Sequence, residues 1–244
     1  MAHKFKLILQ QRINLSDNTY HFSFNTDNPE GLEYKAGQFI SLHIQQEGKE
    51  HRRNYSVANP PNANNHLELA MAAVPNGLAS SLLLNLPVGG VIEASGPYGQ
   101  FVLKDEVLPK RYILIGTGTG ITPYRSMLPQ LEHLLQTTDL QVVILQGVRT
   151  AQDLLYGAEF AEFAAKYPNA IFKACYSRGV PDQPQAYEVA GYVQNHLAEL
   201  NISQASDIAY LCGNPNMVDA AFNLLQELGL DRAQIRREKY ISSK

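Results

Sequence analysis

Two short strings in this chain bring together residue types suited to phosphates and flat rings. One is Arg53-Asn54-Tyr55-Ser56, closing a β-patterned stretch; the other is Gly116-Thr117-Gly118-Thr119-Gly120-Ile121-Thr122-Pro123, between an apolar run and a helical pattern. Glycines at a strand-to-helix turn let backbone N–H groups approach phosphate oxygens, and the helix N-terminus adds partial positive charge. The spacing is G-x-G-x-G, with Ile121 where the common dinucleotide fingerprint has its third glycine. Gln146-Gly147-Val148-Arg149 stands where a ribose-binding acid would be expected. The string reads either as a dinucleotide turn or as a tight structural connection. Arg53 and Tyr55, two apart on a strand, share a face, so a guanidinium and a ring can grip a phosphate and stack on a heterocycle together. The alternative is a cross-strand tyrosine beside a surface arginine. Gly77-Leu78-Ala79-Ser80-Ser81, a small-residue helix start able to bind a diphosphate, and Gly96-Pro97-Tyr98-Gly99-Gln100-Phe101 support the first reading.

The elements that must position these strings differ between the two halves. Residues 5–9, 21–24, 39–44, 54–57, 67–72 and 91–94 read as short alternating strands, with turn signals at 27–31, 47–48, 60–62 and 87–90. Such spacing predicts an antiparallel barrel or sandwich and not a parallel sheet, with one helical exception at 77–85. Beyond a polar link at 104–110, residues 111–115, 141–145, 171–176 and 207–211 are continuous apolar runs, as in strands buried on both faces. Helical patterns over 124–136, 153–166, 187–200 and 217–228 alternate with them. Thr122-Pro123 and Asn214-Pro215 each read as a cap followed by proline at the first helical position, and Pro129 is expected to kink or end its helix. The prediction is two domains: an antiparallel β-barrel over 1–104 and an α/β parallel-sheet domain over 105–244.

Bulk properties exclude several functions. The chain has 244 residues, and residues 1–104 carry eight basic and eight acidic groups against 12 and 15 in residues 105–244. No half has the basic excess that nucleic-acid binding requires. Two cysteines, Cys175 and Cys212, are too few for an iron–sulfur cluster and fit a reducing cytosol. No run is long and apolar enough for a membrane span, and the N-terminus reads as a strand. No metal ligand set is apparent.

The set RNYS, GLAS, GPYGQF, GTGTGITPYR, YLCGNP and a terminal EKY, in that order, resembles the ferredoxin–NADP(H) reductase family, of the bacterial type without a fused iron–sulfur domain. The likeness spans essentially the whole chain. The family fold is an FAD-binding antiparallel barrel followed by a nucleotide-binding α/β domain. The resemblance implies that Arg53 holds the flavin diphosphate, Tyr55 stacks on the isoalloxazine, Ser56 hydrogen-bonds near flavin N5, and Gly77 and Ser80 hold the FAD phosphates. It places the nicotinamide dinucleotide's pyrophosphate on Gly118, Thr119 and Gly120, with Arg125 nearby, and the nicotinamide against Cys212 and Gly213. A cysteine on a buried strand is otherwise a small core residue.

Glu238-Lys239-Tyr240 matches the family's terminal Glu-x-aromatic, in which the aromatic covers the flavin and swings aside for nicotinamide. Here Ile241-Ser242-Ser243-Lys244 follows, a departure from plant-type members; the plain alternative is that Tyr240 is an edge-strand residue. Ser56, Cys212, Glu238 and Tyr240 are therefore the catalytic candidates. Ser177-Arg178 ends the third strand of the second domain and Gly191-Tyr192-Val193-Gln194 follows. A hydroxyl, a guanidinium and a phenol there suit a 2′-phosphate, with Arg149 as a further candidate; a solvated strand end is the alternative. The expected cofactors are FAD and NADP(H). The expected function is exchange of hydride between NADP(H) and FAD and of single electrons with a ferredoxin or flavodoxin, in a cytoplasmic monomer. Lys4, Lys6, Lys35, Lys49, His51, Arg52 and the Arg232, Arg236, Arg237 group are candidates to meet an acidic partner. Alternatives are an oxygenase reductase component, a flavin or ferric reductase, and a non-enzymatic FAD-binding electron-transfer or sensing subunit.

Overall fold

A computed structural model describes residues 3–61, 64–104 and 108–241 of the chain. Asn62 of the third turn signal, residues 105–107 of the polar link and the tail after Ile241 lie outside the described residues. The chain divides into two units. One is Met1–Leu103 with Thr122–Met127, the other Lys104–Ile121 with Leu128–Ile241.

The first unit is built on strands β1 (His3–Ser16), β2 (Thr19–Thr26), β3 (Phe39–Gln46), β4 (Lys49–Ser56), β5 (His66–Ala72) and β6 (Val91–Tyr98), in antiparallel order β4-β3-β6-β1-β2-β5. Period-2 alternation points Phe5, Leu7 and Leu9 inward and leaves Lys4 and Lys6 outside. Phe22, Phe24, Leu42, Leu67 and Leu69 complete the core, with Leu83 of helix α1 (Leu78–Asn85) packed into it; burying a leucine fully stabilises by about 2 kcal/mol. The two outer strands meet. Val57 bridges Leu69, and Ala58 N–H donates to the Glu68 carbonyl at 2.7 Å, so the sheet closes into the expected barrel and loses its edges there.

The second unit holds β7 (Arg111–Thr117), β8 (Gln141–Val148), β9 (Ala170–Tyr176), β10 (Glu188–Ala190), β11 (Asp207–Gly213) and β12 (Ile235–Lys239), all parallel in order β10-β9-β8-β7-β11-β12. Helices α2 (Thr122–Thr137, whose first residues belong to the first unit), α3 (Gly157–Ala165) and α4 (Pro215–Glu227) alternate with the strands. Strand order reverses between β7 and β11, and ligands of such sheets bind outside the carboxyl ends of the strands at that reversal.

Four local expectations need correction. The helix predicted over 187–200 is instead β10 followed by two 3₁₀ turns, Val193–His196 and Ala198–Leu200. Gly191 at φ +104° ends the strand, so Tyr192 precedes the turn and is not on a helix. The segment 153–166 becomes helical only at Gly157, because Tyr156 sits in the left-handed region at φ 55°. Thr122 does not cap α2: the turn Gly118–Ile121 runs straight into the helix, Ile121 is the capping position, and Thr122 lies inside the first turn. Of the two outcomes expected at Pro129, the early end does not occur: α2 continues to Thr137 with Leu131 and Leu135 buried beyond it. Asn214 does cap α4, its Oδ1 accepting from Asn216 N–H at 2.9 Å.

Candidate functional site

The glycine turn after β7 is packed against the end of β11. A Cβ added to Gly120 would stand 2.3 Å from the Cys212 carbonyl oxygen and 2.6 Å from Gly213 Cα, and one on Gly213 (φ +120°) would stand 2.4 Å from the Thr117 carbonyl. Only glycine allows these backbones so close. Thr117 Oγ1 accepts Asn214 N–H at 3.0 Å and ties the two strand ends together. The first turn of α2 has no side-chain cap and no acidic residue, while the Thr122 hydroxyl is buried without a hydrogen-bond partner.

Cys212, Gly213, Glu238 and Tyr240 meet at the same strand ends. Cys212 is register partner to Glu238, and Tyr240 N–H donates to the Gly213 carbonyl at 2.8 Å. The Tyr240 side chain hydrogen-bonds the Cys212 thiol; burial pushes that thiol well above its usual range, and this bond partly offsets it. Glu238 makes no hydrogen bond or ion pair among the described residues, and burial pushes its carboxyl up to about 7. Lys239 pairs with Asp219 of α4 at 2.7 Å, and Arg237 lies 4.2 Å over the Phe222 ring, so β12 is fastened to that helix. The other cysteine, Cys175, is buried within β9, and burial lifts its thiol to about 12.

Arg149, Ser177, Arg178 and Tyr192 gather at the ends of β8, β9 and β10. Ser177 N–H donates to the Val148 carbonyl at 3.0 Å, Arg178 N–H to the Arg149 carbonyl at 3.1 Å, and Gly191 N–H to the Tyr176 carbonyl at 2.8 Å. Both arginines are exposed and have no ion pair among the described residues. Tyr192 is 64% exposed. The Ser177 hydroxyl lies 3.2 Å from the Val148 carbonyl and retains lone pairs to accept with.

In the first unit, Arg53 and Tyr55 sit on one face of β4 opposite Leu42 and Ile40, and Ser56 opposite Phe39. Arg53 Nη1 donates to the Arg52 carbonyl at 2.9 Å and has no carboxylate partner among the described residues. Tyr55 packs against the barrel core, and burial raises its phenol to about 12. Gly77 caps α1 without a side-chain bond, and the first turn carries no acid. The Ser80 hydroxyl accepts Val74 N–H at 2.8 Å, shaping the loop before the helix. Arg125 pairs with Glu68 at 2.5 Å.

Sequence models of an oxidoreductase FAD-binding domain and an oxidoreductase NAD-binding domain match residues 6–103 and 114–222. Ferredoxin–NADP reductase B of Sorangium cellulosum is 32% identical over 233 residues, 93% of each chain. The chain belongs to the ferredoxin–NADP(H) reductase family. Its cofactors are accordingly FAD and a nicotinamide dinucleotide. The propane 2-monooxygenase reductase component of Rhodococcus jostii is 36% identical over 222 residues, 88% of this chain and 57% of that protein. The chain spans 57–61% of the length of three such propane 2-monooxygenase components. Among solved structures, an Amycolatopsis cytochrome P450 reductase superposes with TM-score 0.83 at 29% identity, over 98% of this chain and 70% of that one.

The residues of this ferredoxin–NADP(H) reductase family member fit both cofactors. The uncapped first turn of α1 and the Arg53 guanidinium, which has no ion pair among the described residues, suit a diphosphate; the glycine turn after β7, packed against the end of β11, suits a second one. Among the described residues no helix is long and apolar enough to cross a membrane, and no acidic, histidine and cysteine cluster could hold a metal. Sequence reading passed over Thr117, Asp219 and Glu68. Thr117 lay inside the glycine string and could have been found there; the partners of the other two are remote in sequence and left no local signal.

Proposed function

We propose that this chain oxidises NADPH and delivers the electrons one at a time to a separate acidic carrier, a ferredoxin or flavodoxin. The observation that carries this is the meeting of Cys212, Gly213, Glu238 and Tyr240 at the ends of β11 and β12, where strand order reverses. FAD, when bound, supplies the conversion between two-electron and one-electron transfer. Arg53 and the first turn of α1 would hold its diphosphate, Tyr55 its ring, and Ser56 a hydrogen bond beside the reacting atom. Gly118, Thr119 and Gly120 would hold the nucleotide's pyrophosphate. Cys212 and Gly213 form the floor for the nicotinamide, and Tyr240 must leave the Cys212 thiol for that ring to settle. The half-buried Glu238 places a carboxyl where the ring gains positive charge as hydride departs.

A second reading shares this chemistry and changes the outlet. Relatives at 33–36% identity are named oxygenase reductase components, so the acceptor would be the carrier of an oxygenase. An acceptor panel that adds the hydroxylase component of an oxygenase to a ferredoxin, a flavodoxin and free FMN separates the two, since preferred reduction of the hydroxylase component would favour the second reading. NADPH bleaches the yellow protein, and reoxidation by ferredoxin or flavodoxin outpaces that by free FMN at least tenfold. A protein that stays yellow with NADPH sinks both readings and leaves a binding subunit.

NADPH is favoured over NADH by what stands at the ends of β8, β9 and β10: two exposed arginines without ion pairs among the described residues, a hydroxyl, a phenol, and Gln146-Gly147-Val148-Arg149 in place of a ribose-binding acid at the end of β8. A charge-assisted hydrogen bond to phosphate contributes roughly 1.5–3 kcal/mol. Arg178→Ala should therefore lower kcat/KM for NADPH between about tenfold and a hundredfold and leave NADH within twofold. Equal losses for the two nucleotides would refute a 2′-phosphate site there.

A further inference from the structure

Arg125 stands two residues after Pro123, close in sequence to the phosphate turn, yet its guanidinium is engaged with the barrel. Nη1 lies 3.0 Å from the Ala58 carbonyl and 2.5 Å from Glu68 Oε2. Both residues lie in the seam that closes the barrel, Ala58 N–H donating to the Glu68 carbonyl at 2.7 Å beside the Val57–Leu69 bridge. Glu68 is held from several sides. Its N–H donates to Asn59 Oδ1 at 2.8 Å, its Oε1 lies 3.1 Å from His66 Nε2, and its Oε2 lies 3.7 Å from His21 Nε2. Burial pushes the Glu68 carboxyl up, but the bonds from His66 and Arg125 outweigh it and the net direction is down, so the group is ionised.

The neighbouring residue extends the attachment. Ser126 Oγ accepts Gly37 N–H at 3.0 Å and donates to the Pro123 carbonyl at 2.7 Å. Gln38, next to Gly37, accepts Val57 N–H at 3.0 Å through its carbonyl. The approach to β3, the exit from β4 and the middle of β5 are thus all fastened to the first turn of α2. Tyr55 and Ser56 lie on the same exit, directly before Val57. Arg125 and Glu68 side chains are each only 18% exposed, which puts the pair outside the range of weak surface ion pairs.

We propose that Arg125 is a positioning residue. It clamps the barrel seam, and with it the Tyr55–Ser56 end of β4, onto the first turn of α2; Glu68 is its required counter-ion, and the nucleotide's phosphates are held without it. The role in turnover rests on the function proposed above; the clamp itself does not.

The test is a double-mutant cycle on the full chain with FAD, using Glu68→Gln and Arg125→Met, with NADPH as donor and ferricyanide as acceptor. Each single substitution should lower kcat about tenfold with KM for NADPH within twofold. The double variant should be no slower than the slower single one. Arg125→Lys, which keeps the charge but replaces the planar guanidinium with a compact ammonium, should recover part of the loss. A tenfold rise in KM for Arg125→Met, with Glu68→Gln unaffected, would make Arg125 a phosphate ligand and overturn the proposal; multiplicative losses in the double variant would do the same. Should Arg125→Met fail to fold, Glu68→Asp, which keeps the charge at shorter reach, must lower kcat with KM unchanged, and an unchanged kcat overturns the clamp. A wild-type protein that bound no FAD or left NADPH untouched would remove the functional reading instead. The clamp would then be judged by thermal unfolding, where the cycle must show non-additive losses and additive ones overturn it.

Discussion

Gly120→Ala should abolish NADPH oxidation, with at least a hundredfold loss, while the protein keeps its flavin. The new methyl would lie 2.3 Å from the Cys212 carbonyl oxygen, 2.5 Å from its carbon and 2.6 Å from Gly213 Cα. All three are backbone atoms, so no side chain can rotate away. Cys212 and Gly213 are themselves tied to β7 and β12 by ladder pairing. The turn must therefore lift off the end of β11, at a cost of about 3 kcal/mol in overpacking. Lifting it displaces the N–H groups of Gly118, Thr119 and Gly120 and opens the gap to Cys212 and Gly213, which on the proposed function receive the nucleotide. The first unit has its own core, so FAD retention, read from the visible spectrum after gel filtration, should match the wild type. A variant that turned over NADPH within threefold of wild type would show that the close approach is not what shapes the nucleotide site.

Gly120 illustrates what a sequence can display. A glycine string between an apolar run and a capped-looking helix announces a tight turn because few residues besides glycine survive there. Barrel and parallel sheet were equally open to reading, since strand alternation in one half and unbroken apolar runs in the other follow directly from burial on one face or two. Residues 187–200 misled for a physical reason. Val189, Val193, Leu197 and Leu200 recur at helical spacing and do pack into one core, but a short strand and two 3₁₀ turns present them to it equally well. The strand β1 is longer than its pattern suggested because polar residues after Gln10 are held by pairing with β2, a partner invisible to local periodicity. Arg125 and Glu68 form the least visible feature. Their contact spans 57 residues, and each alone looks like an ordinary charge on a strand or helix.

Glu238→Gln should flatten two pH dependences at once. Burial raises the folded-state carboxyl to about 7 from the ordinary 4.5. The proton is bound more tightly in the folded chain, so this group's contribution to stability is fully present below pH 4.5 and is lost as pH rises through 7. Above that, an ionised, half-buried carboxylate remains, costing on the order of 2 kcal/mol once partial solvent access is allowed for. Glutamine removes the titration. Wild type should lose melting temperature relative to the variant between pH 5 and 8, and the variant should be the more stable of the two at pH 8. Turnover should move the other way. On the proposed function, an ionised Glu238 beside Cys212 favours the positive charge that grows on a nicotinamide as it gives up hydride, so wild-type kcat with NADPH should rise through pH 7 and the variant's should stay level and lower. A structural residue alone would move the melting curve and leave the rate profile intact. If the variant's kcat still rose through pH 7, another group would own the titration and Glu238 would have no part in hydride transfer.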